Sequence, residues 1–185
     1  MKWGCSWMKL LIPDAIYPSV LDVDLADLRR RGIAGLLVDI DNTIVPWGNP
    51  QIDQALVEWI RRAKAEGFRI CLVSNALPER TKSFADLLDI PAVPRAMKPL
   101  ARAFRRGLAL LGLPPEQVAV VGDQLFTDVF GGNRLGLLTV LVNPLSTAEL
   151  GMTKIMRRLE RKALGRLARL GLIDKAALRS RLGSE

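Results

Sequence analysis

The chain of 185 residues contains no histidine. That excludes Ser-His-Asp and Cys-His nucleophile systems and every histidine-liganded metal centre. Catalysis must then rest on carboxylates, lysine, hydroxyls or an oxygen-liganded ion such as Mg²⁺. Only two cysteines occur, Cys5 and Cys71, too few for a disulfide framework and in keeping with a reducing cytosol. Cys71 lies inside an apolar run, where a thiol packs as a small hydrophobe. No run of eighteen apolar residues is present, so no transmembrane helix is expected. The stretch from Met1 to Ile12 lacks the apolar centre and small-residue cleavage site of a secretory signal. Residues 145–185 hold no aromatic side chain. That disfavours single-stranded nucleic acid as a partner, because its bases stack on such rings.

What is present is a hydrophobic content of 49%, enough for one α/β domain with a core. Net charge is +8 but unevenly placed: residues 151–185 carry 10 basic and 3 acidic side chains, leaving 17 and 16 for residues 1–150. An entry segment, 1–32, is punctuated by Pro13 and Pro18 and includes a short helix over Leu21–Arg31. A β-α rhythm follows. Strands are expected at 33–39, 68–73, 118–121 and 137–142, with a short extended piece at 91–94. Helices are expected at 51–66, 78–88, 99–111 and 125–135, several ending at glycine. Strands alternating with helices at this spacing predict a parallel, Rossmann-like sheet covered on both faces. Residues 33–146 form that domain. Residues 147–185 form a basic amphipathic helix, over roughly 147–170, and a tail.

Four stretches carry chemistry: Asp39-Ile40-Asp41-Asn42-Thr43, Ser74-Asn75, Lys98-Pro99 and Gly122 to Asp128. Three of them follow a predicted strand, where open α/β sheets bind ligands. Of two aspartates spaced by one residue, one can attack while the other moves protons. Aspartate is a workable nucleophile for phosphorus when Mg²⁺ neutralises the phosphate. Asp123 adds a carboxylate, and Mg²⁺ accepts two carboxylates, a carbonyl and a substrate oxygen. Ser74 with neighbouring backbone N–H groups makes a phosphate seat, and Lys98 balances the negative charge. Plainer roles exist for each residue alone. The aspartates, Ser74 and Asn75 could be helix caps, Lys98 a solvated lysine, and Trp47 either a lid or a packing residue. Their order along one sheet edge favours the catalytic reading.

The ordered set DIDNT, SN, KP and GDQLFTD resembles the haloacid dehalogenase (HAD) superfamily of phosphatases. With the segment TKIMRRLE it is similar to the YqeG-type HAD-IIIA phosphatases, which are related to phosphatidylglycerophosphate phosphatases. The resemblance spans roughly residues 10–165. It implies that Asp39 is the nucleophile and becomes aspartyl-phosphate, with Asp41 as general acid and then base. Ser74 and Asn75 would bind phosphate, and Lys98 would hold both Asp39 and the phosphate. Asp39, Asp123 and the Asp41 carbonyl would ligate Mg²⁺, and Asp128 would act behind them on water or Lys98.

The segments between motifs are too lean to hold a cap domain, so the site is expected to be open and the substrate large. The resemblance and the open site together suggest phosphatidylglycerophosphate. A phosphoprotein or nucleic acid end, or a non-catalytic ribosome- or RNA-associated role, are the alternatives. The basic helix has three readings: a solvated helix docked on the domain, a membrane-surface helix for anionic lipid, or an RNA contact. Its apolar stripe runs through Ile155, Met156, Leu159, Ala163, Leu167 and Leu170. Trp3, Trp7 and Met8 could add an interfacial anchor. The expected location is the cytoplasm, peripheral to the inner face of the membrane.

Overall fold

A computed structural model describes residues 6–146 and 151–182. Trp3 and the start expected for the C-terminal helix at 147 lie outside the described residues. The strands are β1 (Ala15–Tyr17), β2 (Gly35–Val38), β3 (Arg69–Val73), β4 (Ala92–Val93), β5 (Val118–Gly122) and β6 (Leu138–Val142). They form one sheet in the order β1-β6-β5-β2-β3-β4, with every pairing parallel. The helices are α1 (Ser6–Lys9), α2 (Leu25–Arg30), α3 (Gln54–Ala65), α4 (Pro78–Leu88), α5 (Ala101–Leu111), α6 (Phe130–Asn133), α7 (Gly151–Arg169) and α8 (Lys175–Leu182). The predicted parallel α/β fold is the fold found.

The central strands read as continuous apolar runs because helices cover both faces. Along β2, alternate side chains part company. Leu36 and Val38 join one core with Leu56, Trp59, Ile60 and Phe84 of α3 and α4. Leu37 joins a second core with Ala103, Phe104 and Leu108 of α5. Helix α3 forms where the pattern placed it. Asp53 caps it through a hydrogen bond from the Ala55 N–H, and Leu56, Trp59, Ile60 and Ala63 line its buried face. Val38 stands level with Leu72 of β3 and Val121 of β5. The residues that leave the C-terminal ends of these three strands therefore emerge side by side.

Some elements differ from expectation. The entry segment contributes a sheet strand, β1, too short for periodicity to reveal. Asp14 ties it down, accepting from the Thr139 N–H at 2.7 Å and its hydroxyl at 3.0 Å. The helix expected over 21–31 is a 3₁₀ turn, Val20–Asp22, followed by α2. The helix expected over 125–135 is a π-helical turn, Leu125–Val129, running into α6. The C-terminal helix is docked by Leu164, Leu167 and Ala168, which share a third core with Met8, Leu11, Leu125, Val129, Leu141 and Leu178. Its buried face is thus rotated from the stripe read in the sequence, leaving Ile155, Met156, Leu159 and Leu170 exposed. No helix among the described residues is long and apolar enough to cross a membrane.

Besides α6, which runs on from the buried Val129 of the π-helical turn, two helix starts break the capping rule that α2 and α3 obey. Leu77 and Leu100 occupy the N-cap positions of α4 and α5 without any side-chain cap bond. Both are exposed, at 59% and 50%. Serine at either site is expected to hold or raise stability by up to ~1 kcal/mol in equilibrium urea unfolding. A loss of comparable size would show that these leucines are packed more firmly than their exposure indicates.

Candidate active site

Asp39 is the first residue beyond β2, and its backbone N–H still donates to Val121 of the neighbouring strand at 3.0 Å. Asp123 follows β5 immediately and is fully buried. Lys98 arrives from the loop after β4 and is buried between two carboxylates. Its Nζ donates to Asp39 Oδ1 at 2.5 Å and to Asp128 Oδ1 at 2.7 Å. The Lys98–Pro99 peptide is cis. Thr43 closes the group, its hydroxyl 3.5 Å from Asp39 Oδ2 and 3.4 Å from Asp123 Oδ1.

Asp128 reaches this group from the π-helical turn, and Gly122 makes room for it. A Cβ on Gly122 would lie 2.3 Å from the Asp128 carboxyl carbon and 2.6 Å from its Cβ. The Gln124 N–H then donates to Asp128 Oδ2 at 3.2 Å. The first loop is shaped by Asn42, in the left-handed region at φ 63°, a conformation asparagine tolerates. Its Oδ1 accepts from the Trp47 N–H at 3.1 Å. Trp47 itself is 43% exposed, so it stands at the rim and is not a core packing residue.

The other expected site residues take distinct places. Ser74 is buried at the end of β3, its hydroxyl accepting from the Ala76 N–H at 3.1 Å. Asn75 uses its Oδ1 to hold the Lys98 backbone N–H at 2.8 Å, linking the loops after β3 and β4. Asp41 stands apart from the buried group. Arg80 of α4 holds its Oδ1 through Nη2 at 2.8 Å and Nε at 3.2 Å.

Arg80 carries no signal in the sequence, where it reads as an ordinary exposed helix residue. Nor do the contacts from the C-terminal helices. Arg157 of α7 pairs with the Asp123 carboxylate and donates to its carbonyl at 2.7 Å, and to Glu160 at 3.0 Å. Arg181 of α8 donates to the same Asp123 carbonyl at 2.6 Å. Glu160 in turn accepts from the Leu125 N–H at 2.7 Å. The one available hint was Glu160, an acidic residue inside a basic helix.

Three carboxylates, Asp39, Asp123 and Asp128, offer oxygens that all lie within 4.8 Å of one another. Such a hard, oxygen-only donor set fits a divalent cation. The Asp41 carboxylate is not one of them. Burial raises Asp39 to about 7; Lys98 pulls it down, and Asp128 and Asp123 push it up. Burial likewise raises Asp123 to about 6 against the pull of Arg157. Burial lowers the pKa of Lys98, but Asp128 and Asp39 outweigh it, raise the pKa above its ordinary value and hold the ammonium charged.

Against this geometry, residues 50–136 match the family model described as haloacid dehalogenase-like hydrolase. The chain is 37% identical over 166 residues to "Probable phosphatase YqeG" of Bacillus subtilis, covering 90% of this chain and 96% of that one. The chain belongs to the haloacid dehalogenase-like phosphatases, in the branch of that YqeG protein. It is also 32% identical over 176 residues to "Phosphatidylglycerophosphate phosphatase 1, chloroplastic" of Chlamydomonas reinhardtii. That match covers 88% of this chain but 64% of the algal protein. The fold is shared with an uncharacterized protein of Listeria monocytogenes of known crystal structure. The TM-score is 0.52 and identity 18%, over 69% of this chain and 97% of that one.

Two outcomes are expected. Gly122→Ala should fold yet displace Asp128 from Lys98, lowering turnover by roughly two orders of magnitude. Unchanged activity would show that Asp128 can relax without consequence. Protons also compete with a cation for the trio. Asp39 and Asp123 are protonated below about 7 and about 6 respectively. Affinity for a divalent cation should therefore fall as pH drops from 8 through about 7 to 5, with proton release on binding in calorimetry. An affinity flat across that range would contradict a site built on these carboxylates.

Proposed function

We propose that the protein is a Mg²⁺-dependent phosphomonoesterase that works through an aspartyl-phosphate and acts on phosphatidylglycerophosphate. The observation that carries this reading is the buried Asp39–Lys98–Asp128 group at the sheet edge, with Asp123 beside it. Asp39, Asp123 and the Asp41 carbonyl, backed by Asp128, would hold Mg²⁺, which supplies charge neutralisation for the phosphate.

A carboxylate oxygen of Asp39 attacks phosphorus, and the bond to the ester oxygen breaks. Asp41 donates its proton to the departing alkoxide. In the second half, Asp41 takes a proton from water, whose oxygen attacks the phosphorus of the aspartyl-phosphate. The acyl–phosphate P–O bond breaks, releasing inorganic phosphate and restoring Asp39. Lys98 favours the anionic form of Asp39 against the effect of burial and faces the incoming charge, while Ser74 and Asn75 seat the phosphate oxygens. Arg80 fixes the side chain of Asp41 at the mouth of the site.

The substrate reading has two supports. One is the name of the algal relative. The other is the lean chain between the motifs, which holds only the helices and strands of the sheet and leaves the site without a roof. An open site suits a phosphate whose remaining mass lies outside. The exposed basic face of α7 is proposed to sit against anionic lipid.

Asp39→Asn should abolish turnover and leave the circular dichroism spectrum unchanged; retained activity would refute the nucleophile. Phosphate release from phosphatidylglycerophosphate in mixed micelles should be rapid with Mg²⁺, absent with EDTA, and well above release from an aryl phosphate. Faster release from the aryl phosphate would keep the phosphatase and discard the lipid.

A further inference from the structure

The uncapped, exposed starts of α4 and α5 face the same way. Because every strand is parallel, the loops that follow the strands all lie at the edge holding the active site. Five of these loops expose a large apolar side chain: Leu21, Trp47, Leu77, Leu145, and the pair Met97 and Leu100. The placement is tight. Met97 and Leu100 bracket Lys98-Pro99, and Leu77 follows Ser74 by three residues. Leu21 and Leu145 line a cavity of about 390 Å³ together with Thr43, whose hydroxyl touches Asp39 and Asp123. Single exposed leucines are ordinary, but six large apolar side chains exposed along one sheet edge mark an interaction surface.

Capping chemistry sharpens the point. Ser, Thr, Asp or Asn would satisfy the free N–H groups at the starts of α4 and α5. Leucine there forgoes the cap and exposes apolar surface, a double breach of local preference that functional sites typically carry. Exposed arginines stand beside the apolar residues, Arg95 next to Met97 and Arg102 next to Leu100, with Arg158 on the nearby α7. Apart from Asp41, the exposed or half-buried acidic residues on these loops, Asp22, Asp24, Asp53 and Glu79, all sit at helix starts, where the helix dipole favours them.

We infer that this apolar, arginine-flanked rim is a docking surface for an anionic lipid bilayer, with the sheet edge facing the headgroups so that a lipid phosphate enters the open site directly. The inference rests on the lipid-substrate reading and extends it: the surface that meets the membrane is the rim of the site, joined by α7. Separate side chains on five loops suit a fluid interface, which needs no matching shape.

The test is co-sedimentation at low salt with vesicles of phosphatidylcholine and phosphatidylglycerol, and with phosphatidylcholine alone. The wild type should bind the mixed vesicles. L77S/L100S should bind roughly tenfold more weakly or worse, with its thermal midpoint kept or raised. L87S/L110S alters exposed leucines nearer the other ends of the same two helices and should bind as the wild type does. Equal binding by L77S/L100S and wild type, or no binding by the wild type, overturns the inference. So does a wild-type dimer that L77S/L100S converts to monomer without vesicle binding, since the rim would then meet a second copy of the chain. Hydrolysis of micellar phosphatidylglycerophosphate without any vesicle binding sinks the docking surface and spares the substrate. Leucine-dependent vesicle binding without that hydrolysis does the reverse.

Discussion

One buried ammonium holds the centre of this molecule together. Lys98 lies between Asp39 and Asp128, with Asp123 beside them. Carboxylates taken out of water repel one another and lose their hydration, a cost that a buried cation offsets only when its geometry is good. Lys98 meets that condition because three separate loops are pinned around it. Asn75 holds its backbone, Gly122 clears the space that Asp128 enters, and β2 delivers Asp39 in register with β5. Any of these arrangements lost would leave a charge buried without its partner.

The same electrostatic demand explains why the C-terminal helices belong to the site. Lys98 pairs with Asp39 and Asp128, and Arg157 supplies the counter-charge of Asp123. Arg181 and Glu160 extend the clamp to the Asp123 carbonyl and the Leu125 N–H. The hydrophobic contacts of Leu164, Leu167 and Ala168 place α7 so that Arg157 can reach. A helix that looks like a basic appendage is thereby an electrostatic component of the sheet edge. It keeps an outward face of arginine and exposed apolar residues.

An open site and an apolar rim have a common consequence. Chemistry that must exclude water usually closes a lid over the substrate. With no roof between the motifs, exclusion has to come from the substrate or from the surface it lies in. On the proposed lipid reading, a bilayer interface would provide a low-dielectric boundary of that kind and would give the exposed leucines at the starts of α4 and α5 a physical reason.

The sequence by itself determined the sheet class, the position of β2, β3, β5 and β6, and the order of Asp39, Ser74, Lys98, Asp123 and Asp128 along it. These were legible because long apolar runs have few alternatives and because the motifs sit where such runs end. Tertiary structure alone decided the rest. β1 has three residues and no period to detect. The buried face of α7 follows from which residues meet Leu141 and Leu125, and periodicity alone chose a neighbouring stripe. Arg80, Arg157 and Arg181 look like surface charges in the chain, since nothing local distinguishes an arginine that reaches an aspartate 39, 34 or 58 residues away, whether at its carboxylate or its carbonyl. Local patterns encode which elements form; long-range ion pairs exist only once those elements have packed, and that packing set the electrostatics of the site.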